Sequence, residues 1–288
     1  MRRACVITGA AALPPGAAVV PGPVLLARLI AGVALVALAA SHARAQDFSP
    51  PAPAGTPAGP LALIERGLPD TISGVRIEAA TVRWFGLPDL ATRALALGGG
   101  WRTVRGAVGI SQTGDPELGW SAFGLALGVA EREGGAALRV VVRRDRRLGP
   151  ALGSWRSSSG VGVEVGGGVC VAAGAGLRLW ASAPQVWARG ESPPLERPLE
   201  IGVAYGAHDA TLWLSRGAPA SDAAADHEAG LALRSGPLAL WAAARDRPLR
   251  GGIGVAAGAR GLVVRAAVES HPALGETVRL ALGLGGAP

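Results

Sequence analysis

Residues 261–285 read GLVVRAAVESHPALGETVRLALGLG, and their side chains alternate between two kinds. In the first run the even positions hold Leu262, Val264, Ala266 and Val268, and the odd positions hold Val263, Arg265, Ala267 and Glu269. We call each such set of alternate positions a parity of the strand. The second run alternates Val278, Leu280, Leu282 and Leu284 with Arg279, Ala281 and Gly283. Because successive side chains of a β-strand point to opposite faces, this period of two predicts two strands. Each strand has one apolar face and one small or polar face.

The same period of two recurs upstream, for example over residues 161–166 and 200–205, with turn signals between the runs, such as Gly114-Asp115-Pro116 and Ser235-Gly236-Pro237. We predict about 12–14 strands of roughly 9–12 residues, a length that suits a tilted crossing of a bilayer. Strands of soluble sandwiches are usually shorter, nearer to about 5–6 residues. The links over residues 146–158, 182–197 and 216–227 are predicted to be long loops.

A sheet exposed to lipid must close on itself, because free edges would leave backbone groups without hydrogen-bond partners. The sequence therefore predicts an all-β fold, an antiparallel transmembrane β-barrel over residues 71–288.

The N-terminal region has the features of an export signal. An apolar run over residues 23–41 follows Arg2 and Arg3 and ends before Ala43-Arg44-Ala45, the small-x-small pattern that signal peptidase recognises. Ala43, Ala45 and Gln46 therefore define the predicted cleavage site, with residues 1–45 as the signal peptide. The alternative is an uncleaved membrane anchor. Residues 46–70 form a Pro/Ala-rich leader whose last part, 61–70, is either one short helix or an interior segment.

The composition argues against nucleic acid as a partner, although the net charge is +7. All 28 basic residues are arginine, and they are spread along the chain rather than arranged in a stripe with interleaved aromatic residues. Of the two cysteines, Cys5 lies in the predicted signal peptide, and Cys170, between Val169 and Val171, is predicted to be a small packing residue.

The chain has eight tryptophans and one tyrosine. Six tryptophans fall at or near predicted strand ends, where the aromatic girdle of a membrane barrel lies. They are Trp84, Trp101, Trp120, Trp180, Trp213 and Trp241.

No catalytic, cofactor-binding or metal-binding residue is predicted. The four histidines are scattered without the spacing of metal ligands. Gly174-Ala175-Gly176 resembles part of a dinucleotide fingerprint, but it does not open a helix after a strand. Ser157-Ser158-Ser159-Gly160 lacks the flanking glycine of a nucleophile elbow.

Charged residues on the small or polar parity are the candidates for the barrel lumen: Glu164, Arg178, Arg265, Glu269 and Arg279. They either neutralise one another across strands or recognise a substrate. A rim turn before the last strand is predicted over residues 271–277, with His271, Pro272, Gly275 and Thr277 as its candidate residues.

Three stretches resemble outer-membrane barrels of the long-chain fatty-acid transporter superfamily, most closely the PorV/PorQ-like branch associated with type IX secretion. They are RTVRGAVGISQTGDPELGWSAFGLALGVA, RPLEIGVAYGAHDATLWLSRG and PLRGGIGVAAGARGLVVRAAVESHPALGETVRLALGLG. In that group a His-Pro-x-Leu-Gly-x-Thr loop precedes the last strand, as residues 271–277 do here. The family's N-terminal plug, with its Asn-Pro-Ala element, has no counterpart in a chain without asparagine, and the last strand lacks a terminal aromatic residue.

The resemblance implies an exported protein of the bacterial outer membrane, with a passive transport or secretion-accessory role and no catalysis. Its expected partners are membrane lipid and either a hydrophobic small molecule or a secreted protein. The alternative is a secreted or periplasmic all-β protein with a structural or interaction role.

Overall fold

The computed structural model describes residues 59–69, 74–114, 119–151, 154–190, 199–207, 209–218, 225–247 and 249–285. The predicted signal peptide and its cleavage site at Ala43, Ala45 and Gln46 lie outside these residues. Among the residues described, no helix is long and apolar enough to cross a membrane.

The described chain forms one short helix, α1 (Pro60–Arg66), two 3-10 turns (Trp84–Gly86 and Pro88–Leu90) and fourteen strands. The strands are β1 (Gly74–Arg83), β2 (Ala91–Trp101), β3 (Val104–Gly114), β4 (Gly119–Glu131), β5 (Gly134–Ala151), β6 (Ser154–Ala172), β7 (Leu177–Gly190), β8 (Leu199–Ala207), β9 (Ala210–Ala218), β10 (Asp226–Ser235), β11 (Leu238–Asp246), β12 (Leu249–Ala259), β13 (Leu262–His271) and β14 (Gly275–Leu284).

Each strand pairs antiparallel with its neighbours in sequence, and β1 pairs with β14 to close the barrel. The closing register places Ile77 opposite Leu284 and Arg83 opposite Val278. The predicted antiparallel β-barrel is thereby confirmed, at the upper limit of the predicted number of strands. Closure leaves the sheet without a free edge, except where β5 and β6 extend beyond their neighbours.

The two ends of the barrel differ in the length of their connections. At the end where β1 begins and β14 finishes, here the termini end, the strand bounds leave two residues between neighbouring strands, apart from the four of residues 173–176. A tight turn there, Arg260-Gly261, has positive φ at both residues (49° and 82°), as a type I′ hairpin requires. At the opposite end, here the loop end, the connections reach the eight residues of 191–198.

The long loop predicted over residues 146–158 is wrong, because most of this segment is strand. β5 and β6 are paired as far as Ala151 and Ser154, whereas β4 accompanies β5 only to Arg146 and β7 accompanies β6 only to Gly162. A two-stranded ribbon therefore projects beyond its neighbours at the loop end. The other two predicted loops also begin later than expected, because β7 continues to Gly190 and β9 to Ala218.

β7 departs from regular pairing at one point. Its register with β6 jumps between the pair Gly167–Ala183 and the pair Val165–Trp187, so three residues of β7 face one of β6. The carbonyl of Pro184 in this bulge accepts a hydrogen bond from Arg139 on β5. Bulges of this kind bend a strand and increase its twist.

Candidate functional site

The outward face of the barrel is apolar around its whole circumference. Each of the fourteen strands carries at least one large apolar side chain that is more than a third exposed. Examples from four parts of the wall are Leu125, Leu179, Leu231 and Leu282. We call this surface the apolar belt. Soluble monomers rarely expose an apolar patch larger than a few hundred Å², and a larger one marks contact with a protein or a membrane.

The inward face on one side of the barrel is covered by α1. Leu61, Leu63 and Ile64 of this helix are fully buried. They pack against small side chains of β2 to β5, namely Ala96, Ala107, Ala122, Ala126, Ala137 and Val141. Gly109 allows the closest approach, since a Cβ atom there would lie 2.8 Å from Cδ1 of Ile64. An N-terminal segment therefore lies inside the barrel, and it is both the short helix and the interior segment that were the two alternatives for residues 61–70.

Local signals define both ends of α1. Pro60 stands in the first turn, where a missing backbone N–H is tolerated. At the C-terminus Gly67 adopts the left-handed conformation (φ 63°), and its N–H donates to the carbonyl of Leu63 at 2.9 Å.

Two polar contacts join α1 to the wall. The N–H of Leu61 donates to Oε2 of Glu78 on β1 at 3.2 Å, and the Ser182 hydroxyl donates to the carbonyl of Arg66 at 2.5 Å. Burial lowers the pKa of the Arg66 guanidinium, while the carboxylates of Glu200 and Glu228 act in the opposite direction. The helix end is thus surrounded by charged groups from several strands.

Three tryptophans cover the inward face on the other side of the barrel: Trp180, Trp213 and Trp241. Each faces a glycine on the next strand, in the register pairs Trp180–Gly202, Trp213–Gly230 and Trp241–Gly254. A Cβ atom at these glycines would lie 2.1, 2.0 and 2.3 Å from the indole rings, so the rings rest directly on the backbone. This tryptophan row packs with Leu68, Cys170, Ala204, Ala232 and Ala243.

The tryptophan row corrects the predicted girdle. Trp180 and Trp213 are only 5% and 3% exposed, and all three members of the row lie on the inward parity of their strands. Trp84 also points inward, with its Nε1 donating to Thr92 at 2.8 Å. Of these five tryptophans, only Trp101, which is 72% exposed, matches the predicted outward position. Sequence spacing did not reveal which parity each tryptophan occupies.

Buried ion pairs connect distant parts of the wall. Arg265 of β13 lies 2.5 Å from Oε1 of Glu78, the same carboxylate that accepts from α1. Arg143 of β5 lies 2.7 Å from Glu164 of β6, and Arg139 lies 3.8 Å from that carboxylate. Because a buried charge without a partner is costly, these pairs restrict the wall to the observed register.

A second set of charges lines the inward face at the loop end. Glu269 lies 3.0 Å from Arg279 and 3.5 Å from Arg250. Arg245 lies 3.2 Å from Glu228 and 3.7 Å from Asp226. We call these six residues the mouth network. The barrel interior is therefore mostly apolar along α1 and the tryptophan row, with buried ion pairs at Glu78 and Glu164, and charged toward the loop end.

The five predicted lumen residues occupy different environments. Glu164 and Arg265 are buried in the ion pairs above, and Glu269 and Arg279 contact each other in the mouth network. Arg178 shares the parity of Trp180, but its side chain is exposed next to the turn at the termini end.

Glu78 is the main residue that sequence reasoning missed. It stands on the small or polar parity of a strand in which Val75, Ile77 and Ala79 have the other parity, and that alternation is the signal that identifies it. Arg139 and Arg143 have the same kind of signal within the arginine-rich part of β5.

The predicted rim residues lie at the loop end. β13 finishes at His271, and β14 begins at Gly275, whose φ is 91°. The Nδ1 atom of His271 accepts backbone N–H groups of Ala273 and Leu274, both at 3.2 Å, which fixes the turn. Thr277 is buried, and its hydroxyl accepts the N–H of Phe85 at 3.3 Å.

Metal ligands are not grouped in the described part of the chain, which contains no cluster of three or more His, Cys, Asp or Glu side chains arranged around a common point.

No protein-family model matches the sequence, and no curated protein matches it as a relative. The fold resembles the Ralstonia pickettii toluene transporter TbuX, with a TM-score of 0.57 and 10% identity over 86% of this chain and 99% of that one. The Acinetobacter baumannii outer membrane protein Omp33 gives a TM-score of 0.46 at 8% identity, over 76% of this chain and 99% of that one. A mutant Rh. blastica porin gives 0.38 at 13% identity, over 74% and 99%. At 10% identity the likeness to TbuX is one of fold, and the two lower TM-scores add nothing to it.

Proposed function

We propose that this chain is an integral outer-membrane barrel that provides a passive route for a small apolar solute. The observation that carries the proposal is the apolar belt on a closed fourteen-stranded barrel. In water such a surface would drive aggregation, whereas in a bilayer it faces lipid with every strand hydrogen-bonded on both sides.

The connections support the same location. Outer-membrane barrels have short turns at the periplasmic end and longer loops at the extracellular end. The termini end of this barrel has the short turns and the loop end has the longer links. The proposed orientation therefore places the termini in the periplasm, after export directed by the predicted signal peptide.

The arrangement of the interior supports a controlled route rather than a wide pore. α1 contacts the wall through apolar side chains and through two hydrogen bonds, to Glu78 and Ser182, and not through strand pairing. It can therefore shift without opening the sheet. Its bed consists mainly of alanine methyl groups from β2 to β5, which form no hydrogen bonds that a shift of α1 would have to break. A movement of α1 is the proposed step that admits a solute.

The proposed class of solute follows from the inward surfaces. The tryptophan row and the α1 bed present indole rings and methyl groups, which favour an apolar or aromatic molecule. TbuX, which shares the fold, is described as a toluene transporter. A small aromatic hydrocarbon is therefore the first solute to test.

The test is uptake of a fluorescent naphthylamine by intact cells that express the chain, compared with cells carrying an empty vector. Faster uptake is expected, because lipopolysaccharide otherwise slows the entry of apolar molecules. The Gly251→Ala variant controls for the effect of a substitution as such, and its uptake is expected to equal that of the natural sequence, since a Cβ atom there meets nothing within 4 Å. Equal uptake with and without a correctly inserted barrel would contradict the transport role but not the proposed membrane barrel.

A secretion-accessory role is the second candidate, and the β5–β6 ribbon favours it. Beyond Arg146 and before Gly162 the two strands pair with each other alone among the described residues. A projecting ribbon with two open edges can add a strand from a protein partner. Deletion of residues 148–157 is expected to remove a secreted protein from the medium while leaving naphthylamine uptake intact. An unchanged set of secreted proteins would exclude this role for the ribbon.

A further inference from the structure

The outer wall of β6 to β10 contains a groove of about 550 Å³. Its apolar lining comes from outward-pointing side chains in two neighbouring register rows. One row consists of Val171, Leu179, Val203 and Leu214, and the other of Val169, Ala181 and Ile201. We call it the outer groove. Its volume lies within the range of about 300–1,000 Å³ found for small-molecule sites.

Small residues account for the depth of the outer groove. Ala181 is only 3% exposed although Leu179 and Ile201 beside it are 40% and 44% exposed. Gly202 adds backbone alone to the floor between the two rows. The groove is therefore a depression between larger side chains of the apolar belt.

Polar groups stand at the loop end of the outer groove. The second register row continues from Ile201 to Arg216 and then to His227, and both side chains border the groove. Asp246 fixes the histidine, accepting its backbone N–H at 2.6 Å and contacting Nδ1 at 3.0 Å. Among the ion pairs of the described residues, none involves Arg216. A guanidinium is thus available beside a long apolar surface.

We propose that the outer groove binds one molecule of an outer-leaflet lipid that carries an anionic phosphate, with an acyl chain along the apolar rows and the phosphate at Arg216 and His227. The proposal rests on the outer-membrane location proposed above. Charge complementarity selects this occupant, because Arg216 stands where the apolar belt gives way to polar side chains, the level of lipid headgroups. An arginine fork matches the oxygens of a phosphate, and the methyl groups below it match an acyl chain.

The test is native mass spectrometry of the full chain released from detergent micelles that contain phosphatidylglycerol or, separately, phosphatidylcholine. One retained phosphatidylglycerol per barrel is expected for the natural sequence. Arg216→Gln is expected to lower the retained fraction by about fivefold, the effect of losing one exposed charge pair. Ala181→Leu, which fills the groove, is expected to lower it as well.

Arg93→Gln is the matched control, because Arg93 is also exposed on the outward face but lies on β2, away from the groove. Equal losses in the Arg93 and Arg216 variants would overturn the proposal in favour of unspecific attraction to the surface. Equal retention of phosphatidylcholine would also overturn it, and so would displacement of the lipid by inorganic phosphate alone.

Each protein is first checked for heat-modifiable migration. A barrel that inserts but retains no lipid contradicts only this proposal, whereas a chain that does not insert contradicts the proposed function.

Discussion

Each tryptophan of the interior row depends on a glycine of the next strand. The indole ring of Trp213 lies flat against the backbone at Gly230, and Trp180 and Trp241 repeat the arrangement with Gly202 and Gly254. Burying such rings supplies much apolar area to an inward face that otherwise carries small residues. The glycines are therefore required by packing and not by backbone conformation.

Gly230→Ala is expected to destabilise the folded barrel by about 1–3 kcal/mol, because the added methyl group overlaps the Trp213 ring and forces it to move. The measurement is the midpoint of urea unfolding in detergent. Gly251→Ala is the control and is expected to leave the midpoint unchanged, since its methyl group enters open space. Equal midpoints for the two variants would show that the ring does not rest on Gly230.

Glu164→Gln is expected to destabilise the barrel by about 3–5 kcal/mol, because Arg143 and Arg139 lose the charge that balances them in a buried site. Glu131→Gln, at the exposed end of β4, is expected to have little effect. Both are followed by the same unfolding midpoint. A negligible effect of Glu164→Gln would mean that water reaches the pair.

The sequence predicted the parity of these charged residues better than their partners. Alternation with valines and glycines identified Glu164. Arg265, however, pairs with Glu78, which is 187 positions away in sequence. That pairing depends on the closing register between β1 and β14, which local patterns do not contain. The same limit explains why the tryptophans were assigned to the wrong face.

At the scale of elements, the strands could be predicted from the sequence more closely than α1. The strands β13 and β14 were predicted closely, because each has one apolar and one small or polar parity. The segment 61–70 left a short helix and an interior segment open, and the structure shows both, a helix over Pro60–Arg66 inside the barrel. Its interior position follows from the alanine bed, which is assembled from four strands.

Leu63→Ala is expected to loosen α1, because removing a fully buried leucine side chain costs about 2–5 kcal/mol of packing. The measurement is current through single barrels in planar bilayers, where the variant should show more frequent openings than the natural sequence. Leu249→Ala is the control, since that side chain is 65% exposed on the outward face. Identical current records for all three proteins would contradict a role of α1 in closing the route.

At the scale of the whole molecule, closure and surface chemistry act together. A closed barrel satisfies its backbone hydrogen bonds without solvent, and the side chains of the apolar belt are compatible with lipid instead of water. The strand period and composition were enough to predict this architecture. They were not enough to predict the contents of the interior, because those depend on contacts between residues far apart in sequence.

Leu125→Arg is expected to cost about 2–4 kcal/mol of insertion stability, because Leu125 lies near the middle of β4 on the apolar belt. Leu249→Arg, at the loop-end start of β12, should cost at most about 1 kcal/mol, since headgroups and water reach that level. Unfolding of the two variants from lipid vesicles provides the comparison. Equal costs would show that the outward face does not lie across a bilayer.

The central claim, a closed barrel inserted in the outer membrane, is tested most directly by heat-modifiability. Outer-membrane and soluble fractions are run on an SDS gel with and without boiling and probed for this chain. We predict that the protein fractionates with the outer membrane and that the unboiled band migrates differently from the boiled one. A chain found in the soluble fraction, with the same migration in both conditions, would contradict the account and favour a secreted β-sheet protein.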